Sequence, residues 1–215
     1  MIAREEGPGR LTLRLDRPER ANALTRSMLG MLSDALAEAA TRDDLRLLVL
    51  TGSGKVFSAG ADLDEVRNGL SGDPVWEEVS TRLAALPCLT VAALNGTLAG
   101  GAFGLALACD LRLAVPGASF FYPVLRNGFL PQPSDVRRLA ALIGPAGARR
   151  ILLAGERLDA AEALRLGLVD HLAEAEELPA LVDRLAADAL ADGGTGLAAI
   201  KAMIDAGTAP EGRRE

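Results

Sequence analysis

Two small-residue turns hold the groups in this chain best placed to do chemistry, and those groups are main-chain amides. Ser58-Ala59-Gly60-Ala61-Asp62 follows the apolar run Leu47 to Leu50, the break Thr51-Gly52-Ser53-Gly54 and Phe57. Asn95-Gly96-Thr97-Leu98-Ala99-Gly100-Gly101-Ala102-Phe103-Gly104 follows a second apolar run, Leu89 to Leu94. The first turn has no side chain large enough to fill the space beside it, so another molecule can approach the backbone. Each leads into a helix-like run, Leu63 to Asn68 and Leu105 to Asp110, which places free N–H groups at a helix start, where negative charge is favoured. A single turn of this kind often only solves a steric problem. Two in one domain, opening at the same end of a sheet, would converge on one oxygen as an oxyanion hole for an enolate or tetrahedral anion.

Other chemistries are narrowed by what the chain contains. His171 is the only histidine, which rules out a His-dependent triad or a multi-His metal site within one chain. Cys88 and Cys109 lie in apolar segments without the spacing of a metal site or a disulfide framework, and read as buried, reduced thiols; no metal is expected. A net charge of −6 and an aromatic content of 3% argue against nucleic acid, which needs a basic surface and rings for stacking. Neither turn carries the Walker lysine, nor GxGxxG with an acidic residue about 20 positions on. No apolar stretch reaches the roughly 18 to 20 residues of a membrane span. The start, MIAREEGPGR, has no apolar region behind it, so no secretory signal is expected and the expected location is cytoplasmic.

The elements that would position the turns follow from patterning. Arg10 to Leu15 alternates polar and apolar residues as a half-buried strand, and Thr25 is a good N-cap for an amphipathic helix to about Ala40, with Met28, Leu29, Leu32, Leu36 and Ala39 on one stripe. With the strand from Leu45, this predicts strand, helix, strand and hence a parallel sheet. Asp62 is placed to cap the helix beyond the first turn. A helix from Pro74 to Leu86 precedes the second apolar strand, and Leu111 to Val115 and Ser119 to Phe121 suit short strands. Asn127 to Gln132 reads as a loop, with Ser134 or Asp135 capping a helix to about Ile143. From Gly144 the pattern is helical: Pro145 to Ala154, a helix capped by Asp159 and closed by Gly167, Leu168-Val169 as a short strand, then Leu178 to Ala191 and Thr195 to Ala206. The polar end, TAPEGRRE, is expected to fray. There is no repeat at a fixed period.

RPERANAL (Arg17 to Leu24), LTGSGKVFSAGADL (Leu50 to Leu63), NGTLAGGAFGLALACD (Asn95 to Asp110) and AAEALRLGLVD (Ala160 to Asp170) occur in an order and at separations that resemble the crotonase, or enoyl-CoA hydratase/isomerase, superfamily. The resemblance covers nearly the whole chain. It implies an α/β fold, a crotonase-like spiral of ββα units with a C-terminal helical region: one domain over 1–215, with a spiral core at 1–143 and a helical trimerisation region at 144–215. The family pattern usually continues further past the Lys201 helix, so this region reads as truncated. The resemblance also implies binding of acyl-CoA thioesters, with coenzyme A as part of the substrate and no separate cofactor, and assembly as homotrimers or hexamers. Carried over by position, the amides of Ala61 and Gly101 become the oxyanion donors. Ala59 offers its carbonyl to the adenine, Ala21 and Ala23 line the CoA groove, Leu63 lies against the pantetheine, and Lys55 reads either as placed for a CoA phosphate or as a solvated turn lysine.

The chain departs from that pattern where hydratases carry two glutamates. These positions fall on Gly104 and Val124, neither of which can exchange a proton. Val124 reads as a wall of the acyl pocket. The possible substitutes are Gln132, at a position from which dehalogenases present an aspartate, Asp135, otherwise a helix cap, and Tyr122, placed to hydrogen-bond a thioester substituent. Asp64 and Glu65 read as solvated carboxylates, Arg126 as facing either a substrate carboxylate or water, and His171 as structural. Three functions fit: a lyase or isomerase of acyl-CoA metabolism leaning on the oxyanion hole, with decarboxylation of a malonyl-type thioester the best chemical match; a non-catalytic acyl-CoA binding protein; or a scaffold subunit.

Overall fold

The computed structural model describes residues 1–193 and 196–208. Thr195 and the polar end at 209–215 lie outside them. The chain opens with a hairpin, β1 (Ile2–Gly7) paired antiparallel to β2 (Arg10–Leu15). Patterning did not predict β1, whose four central residues are polar or small and only Ile2 of which is buried. Thr25 accepts from the Met28 amide as the N-cap of α1 (Arg26–Ala39), and the predicted apolar stripe is buried. The chain then crosses to β3 (Leu47–Gly52), parallel to β2.

From β3 onward a strand pair followed by a helix recurs. β3 runs into β4 (Val56–Ser58), then α2 (Leu63–Arg67) and α3 (Val75–Ala84). β5 (Leu89–Leu94) runs into β6 (Thr97–Ala99) and α4 (Phe103–Leu107). β7 (Leu111–Ala114) runs into β8 (Ser119–Phe121), α5 (Val124–Asn127) and α6 (Pro133–Leu152). The first strands of these units join the large sheet, and the second strands build a smaller one whose three are parallel, β4-β6-β8. Starts at residues 47, 89 and 111 explain why no fixed period shows in the sequence. β9 (Leu158–Asp159) closes the small sheet antiparallel to β8. α7 (Ala160–Leu166) follows, capped by Asp159 on the Glu162 amide and ended by Gly167 at φ +80°.

β10 (His171–Leu172), α8 (Leu178–Ala191) and α9 (Gly196–Thr208) complete the described chain. The expected strand at Leu168-Val169 is corrected: both residues are buried, but their amides bond the Ala163 carbonyl as part of the α7 terminus, and the strand pairing with β7 begins at exposed His171. α6 breaks at Gly144 (φ +73°), between the two helices that patterning separates there.

The large sheet, β1-β2-β3-β5-β7-β10, has two apolar faces. Leu48, Leu50, Ala92 and Leu94 point into the main core, with α1, α3, α4 and α6. Leu47, Val49, Val91, Ala93 and Leu113 meet Leu178, Leu181, Val182 and Ala186 of α8. The hydroxyl of Thr51 bonds the Ala93 carbonyl at 2.8 Å, and Asn95 Oδ1 accepts from the Gly52 amide at 2.9 Å, tying the C-terminal ends of β3 and β5 together.

Candidate active site

Because β4 and β6 are parallel neighbours, the turns that follow them leave the small sheet side by side. They touch: a methyl group on Gly60 would lie 2.9 Å from the Ala99 carbonyl oxygen and 3.2 Å from Gly100 Cα. Gly60 also has φ +93°, so only glycine fits there on both counts. Both turns line one cavity of about 110 Å³, whose wall includes Ala61 and Gly101 together with Tyr122, Val124 and Gln132.

In the first turn the amides on either side of Ala61 are all consumed. The Ala59 amide bonds the Ala21 carbonyl at 2.9 Å, Gly60 bonds Ser58 Oγ at 3.1 Å, and Asp62 bonds the Leu24 carbonyl at 2.8 Å. Among the described residues no acceptor is recorded for the amide of Ala61, and none for that of Gly101. A buried polar web fixes the turn. Asn22, fully buried, donates from Nδ2 to the carbonyls of Ser53 and Val56, and its Oδ1 accepts from the Arg17 amide. Arg17 also pairs with Asp62 at 2.6 Å, and Asp62 caps α2 on the amides of Asp64 and Glu65. The Arg17 guanidinium, helped by those amides, holds the Asp62 carboxyl below the usual carboxylate range despite its burial. Asp62 is therefore the cap that its place before the helix predicts, and in addition an ion-pair partner of Arg17.

The second turn is held by packing. The Trp76 indole lies over Gly101, 3.2 Å from where a Cβ would stand, and its Nε1 donates to the Leu70 carbonyl at 2.8 Å. Behind the turn, Gly104 on α4 leaves a space that Asp135 fills: a Cβ at Gly104 would meet Asp135 Oδ1 at 2.6 Å. Asp135 does not cap α6, whose N-cap is Gln132; this corrects the capping role expected of Asp135, and of Ser134. Asp135 is 1% exposed and its carboxyl is turned inward, where Oδ2 accepts from the Tyr122 hydroxyl at 2.9 Å. Burial above all pushes Asp135 up to about 7, with Glu77 adding to the rise and the Tyr122 hydrogen bond and Arg138 opposing it. Tyr122 is itself raised, by burial and then by the Asp135 charge. Its ring stacks on Phe103 at 5.4 Å.

The other predicted residues divide by position. Val124 is buried in the cavity wall, and Gln132 is half-buried with its amide nitrogen on the Ser71 carbonyl at 3.1 Å. Ala59 and Leu63 are exposed at the cavity rim, and Ala21 and Ala23 are half-buried on the loop that braces the first turn. Lys55 is exposed beyond Gly54, outside the cavity lining. Asp64 pairs with Arg67 at the surface, and Glu65 accepts from the Arg26 amide. Cys88 and Cys109 are free and buried, their thiols raised by burial to about 11 and about 12. Among the described residues there is no cluster of three His, Cys, Asp or Glu fit to hold a metal, and no helix long and apolar enough to cross a membrane. Sequence reasoning missed Arg17, Asn22 and Trp76. The signal for Asn22 was its conformation-tolerant type beside Ala21, both at positive φ.

Comparison with known proteins bears on the family and the fold. Residues 6–214 match the family model described as enoyl-CoA hydratase/isomerase. The chain is 38% identical over 200 residues to the putative enoyl-CoA hydratase/isomerase YngF of Bacillus subtilis, covering 90% of this chain and 76% of that protein. It is 34% identical over 203 residues to crotonyl-CoA hydratase of Syntrophomonas wolfei, covering 91% and 77%. Among solved structures it superposes on an enoyl-CoA hydratase/carnithine racemase from Magnetospirillum magneticum with a TM-score of 0.89 at 28% identity, covering 95% of this chain and 80% of that one. An enoyl-CoA hydratase from Bacillus anthracis gives 0.88 at 29% identity, covering 96% and 83%.

Proposed function

This chain belongs to the enoyl-CoA hydratase/isomerase family, and from that premise we propose that it binds acyl-CoA thioesters and stabilises the thioester enolate between the amides of Ala61 and Gly101. The observation that carries this reading is the pair of unclaimed amides on two touching turns that line one cavity. Donors fixed before the reaction bind an oxygen better as it gains charge, and each such donor is worth roughly 10² to 10³ in rate. In this reading Ala21, Ala23, Ala59 and Leu63 border the CoA, and Lys55 meets a phosphate.

Gly104 and Val124 stand where the family pattern has the two hydratase glutamates, so syn hydration lacks its usual acid and base. The chemistry that remains is formation of the enolate by another route. Loss of CO2 from a malonyl-type thioester needs no base, since the electrons of the breaking C–C bond enter the enolate directly. Exposed Ile200, Met203 and Ile204 on α9 support packing against another copy of the chain, and the family resemblance implies a homotrimer or hexamer, which sedimentation would show as a mass of three or six chains.

The test is calorimetric titration with acyl-CoA thioesters, followed by incubation with a panel that includes malonyl-CoA and crotonyl-CoA. Binding with CO2 release is the expected result. Hydration of crotonyl-CoA within tenfold of a glutamate-bearing relative would overturn the reading of Gly104 and Val124. Binding without any product would assign a carrier or scaffold instead.

A further inference from the structure

The Asp135 carboxyl is the feature beside the cavity that amide chemistry leaves unused. It reaches from α6 into the space left by Gly104 on α4, its Oδ1 has no hydrogen-bond partner, and its Oδ2 is bonded to Tyr122. Tyr122 lines the cavity with Ala61 and Gly101, whereas Asp135 does not, so Tyr122 connects the cavity wall to the carboxyl behind it. The Phe103 ring fixes the phenol from one side.

We propose that Tyr122 and Asp135 are a proton relay to the α-carbon of the bound thioester, Tyr122 touching the substrate and Asp135 acting through it. The relay rests on the thioester reading above and supplies from α6 the proton chemistry that Gly104 cannot. In the forward step the α-proton moves to Tyr122 Oη as the phenol's own proton moves to Asp135 Oδ2. The C–H electron pair enters the enolate held by the two amides. The reverse step returns a proton to carbon and leaves Asp135 ionised, so protons and electrons balance without a further reactant. After decarboxylation the same acid arm quenches the enolate, and Asp135 regains its proton from water.

The groups facing Asp135 set its working range. Tyr122, between β8 and α5, donates to it; Glu77 on α3 adds negative charge; Arg138 on α6 adds positive charge; and α4 presents only the bare Gly104. With burial dominant, the carboxyl titrates near neutrality, where an acid and base of one group are both accessible.

The test is exchange of α-hydrogens of butyryl-CoA in D2O, followed by mass spectrometry, beside calorimetric binding of the same thioester. The expected result for the unaltered protein is exchange that rises with pH through about 7 and then levels. Asp135→Asn keeps shape and one hydrogen bond to the phenol but carries no transferable proton. It should slow exchange at least thirtyfold and flatten the pH profile, while binding changes less than threefold. Tyr122→Phe should lose exchange to a similar degree, and a thermal melt of each variant checks that it is folded. Exchange that persists in Asp135→Asn with its pH profile intact overturns the relay. Binding without exchange in the unaltered protein overturns the relay alone, whereas absence of binding overturns the thioester reading first and the relay with it.

Discussion

The two glycine turns present equivalent amides from different materials. The first is braced by hydrogen bonds and an ion pair, through Arg17, Asn22, Ser58 and Asp62. The second is braced by an indole and by a carboxyl in an apolar setting, through Trp76 and Asp135. Polar bracing demands exact geometry because each unmatched buried group costs about 1 to 3 kcal/mol. Packing yields by tenths of an ångström. The first turn should therefore be the brittle one.

Gly60→Ala is the most severe way to test this. It adds a methyl 2.9 Å from the Ala99 oxygen at φ +93° and forces the turns apart. The expected loss is about 4 kcal/mol in chemical denaturation, combining strain and overpacking, with thioester binding abolished. A loss below about 1 kcal/mol would show that the turns are not locked together.

The two braces should also respond to pH with opposite sign. Asp135 is raised to about 7, so its unfolded form ionises more readily, and stability falls as pH rises from near 4 to about 7. Asp135→Asn should match the unaltered protein at pH 4 and exceed its stability at pH 8 by roughly 4 kcal/mol. Equal stabilities at both pH values would remove the burial argument for Asp135. Asp62 is depressed, so its contribution is present above about pH 4 and is lost as pH falls through its folded pKa. Asp62→Asn should cost about 1 to 2 kcal/mol at neutral pH and little in acid, measured by the same melts. The mildest expected change is Gly101→Ala, whose methyl meets Trp76 at 3.2 Å; a shift of the indole limits the cost to about 1 kcal/mol. If it matched Gly60→Ala, the contrast between polar and packed bracing would fail.

Much of this arrangement was legible in local chemistry. Thr25, Asp62 and Asp159 cap the helices their types and places announce, and the turns at Gly60 and Gly101 end the apolar strands before them. What escaped depends on distance along the chain. Arg17 meets Asp62 across 45 residues, and no pattern within a window of one helix links them. Asp135 looked like a cap because it opens a helix, and only the fold reveals that the vacancy it fills belongs to Gly104. The strand at His171 was displaced onto Leu168-Val169 because apolar character marks burial, and burial at a helix terminus looks the same in sequence as burial in a strand. The amide roles proposed for Ala61 and Gly101 come from resemblance, since no side chain advertises them.

All six residues of β3 are buried, with neighbours alternating between two greasy surfaces. Sliding such a strand by one position would swap one oily face for another, so hydrophobicity alone cannot set its alignment. The Thr51 and Asn95 bonds at its far end act as a vernier, and misalignment there would carry the first turn out of step with its neighbour. Errors of folding in this molecule should thus appear first as a mis-keyed central strand, with the cavity between the turns dismantled while the bulk of the interior stays dry.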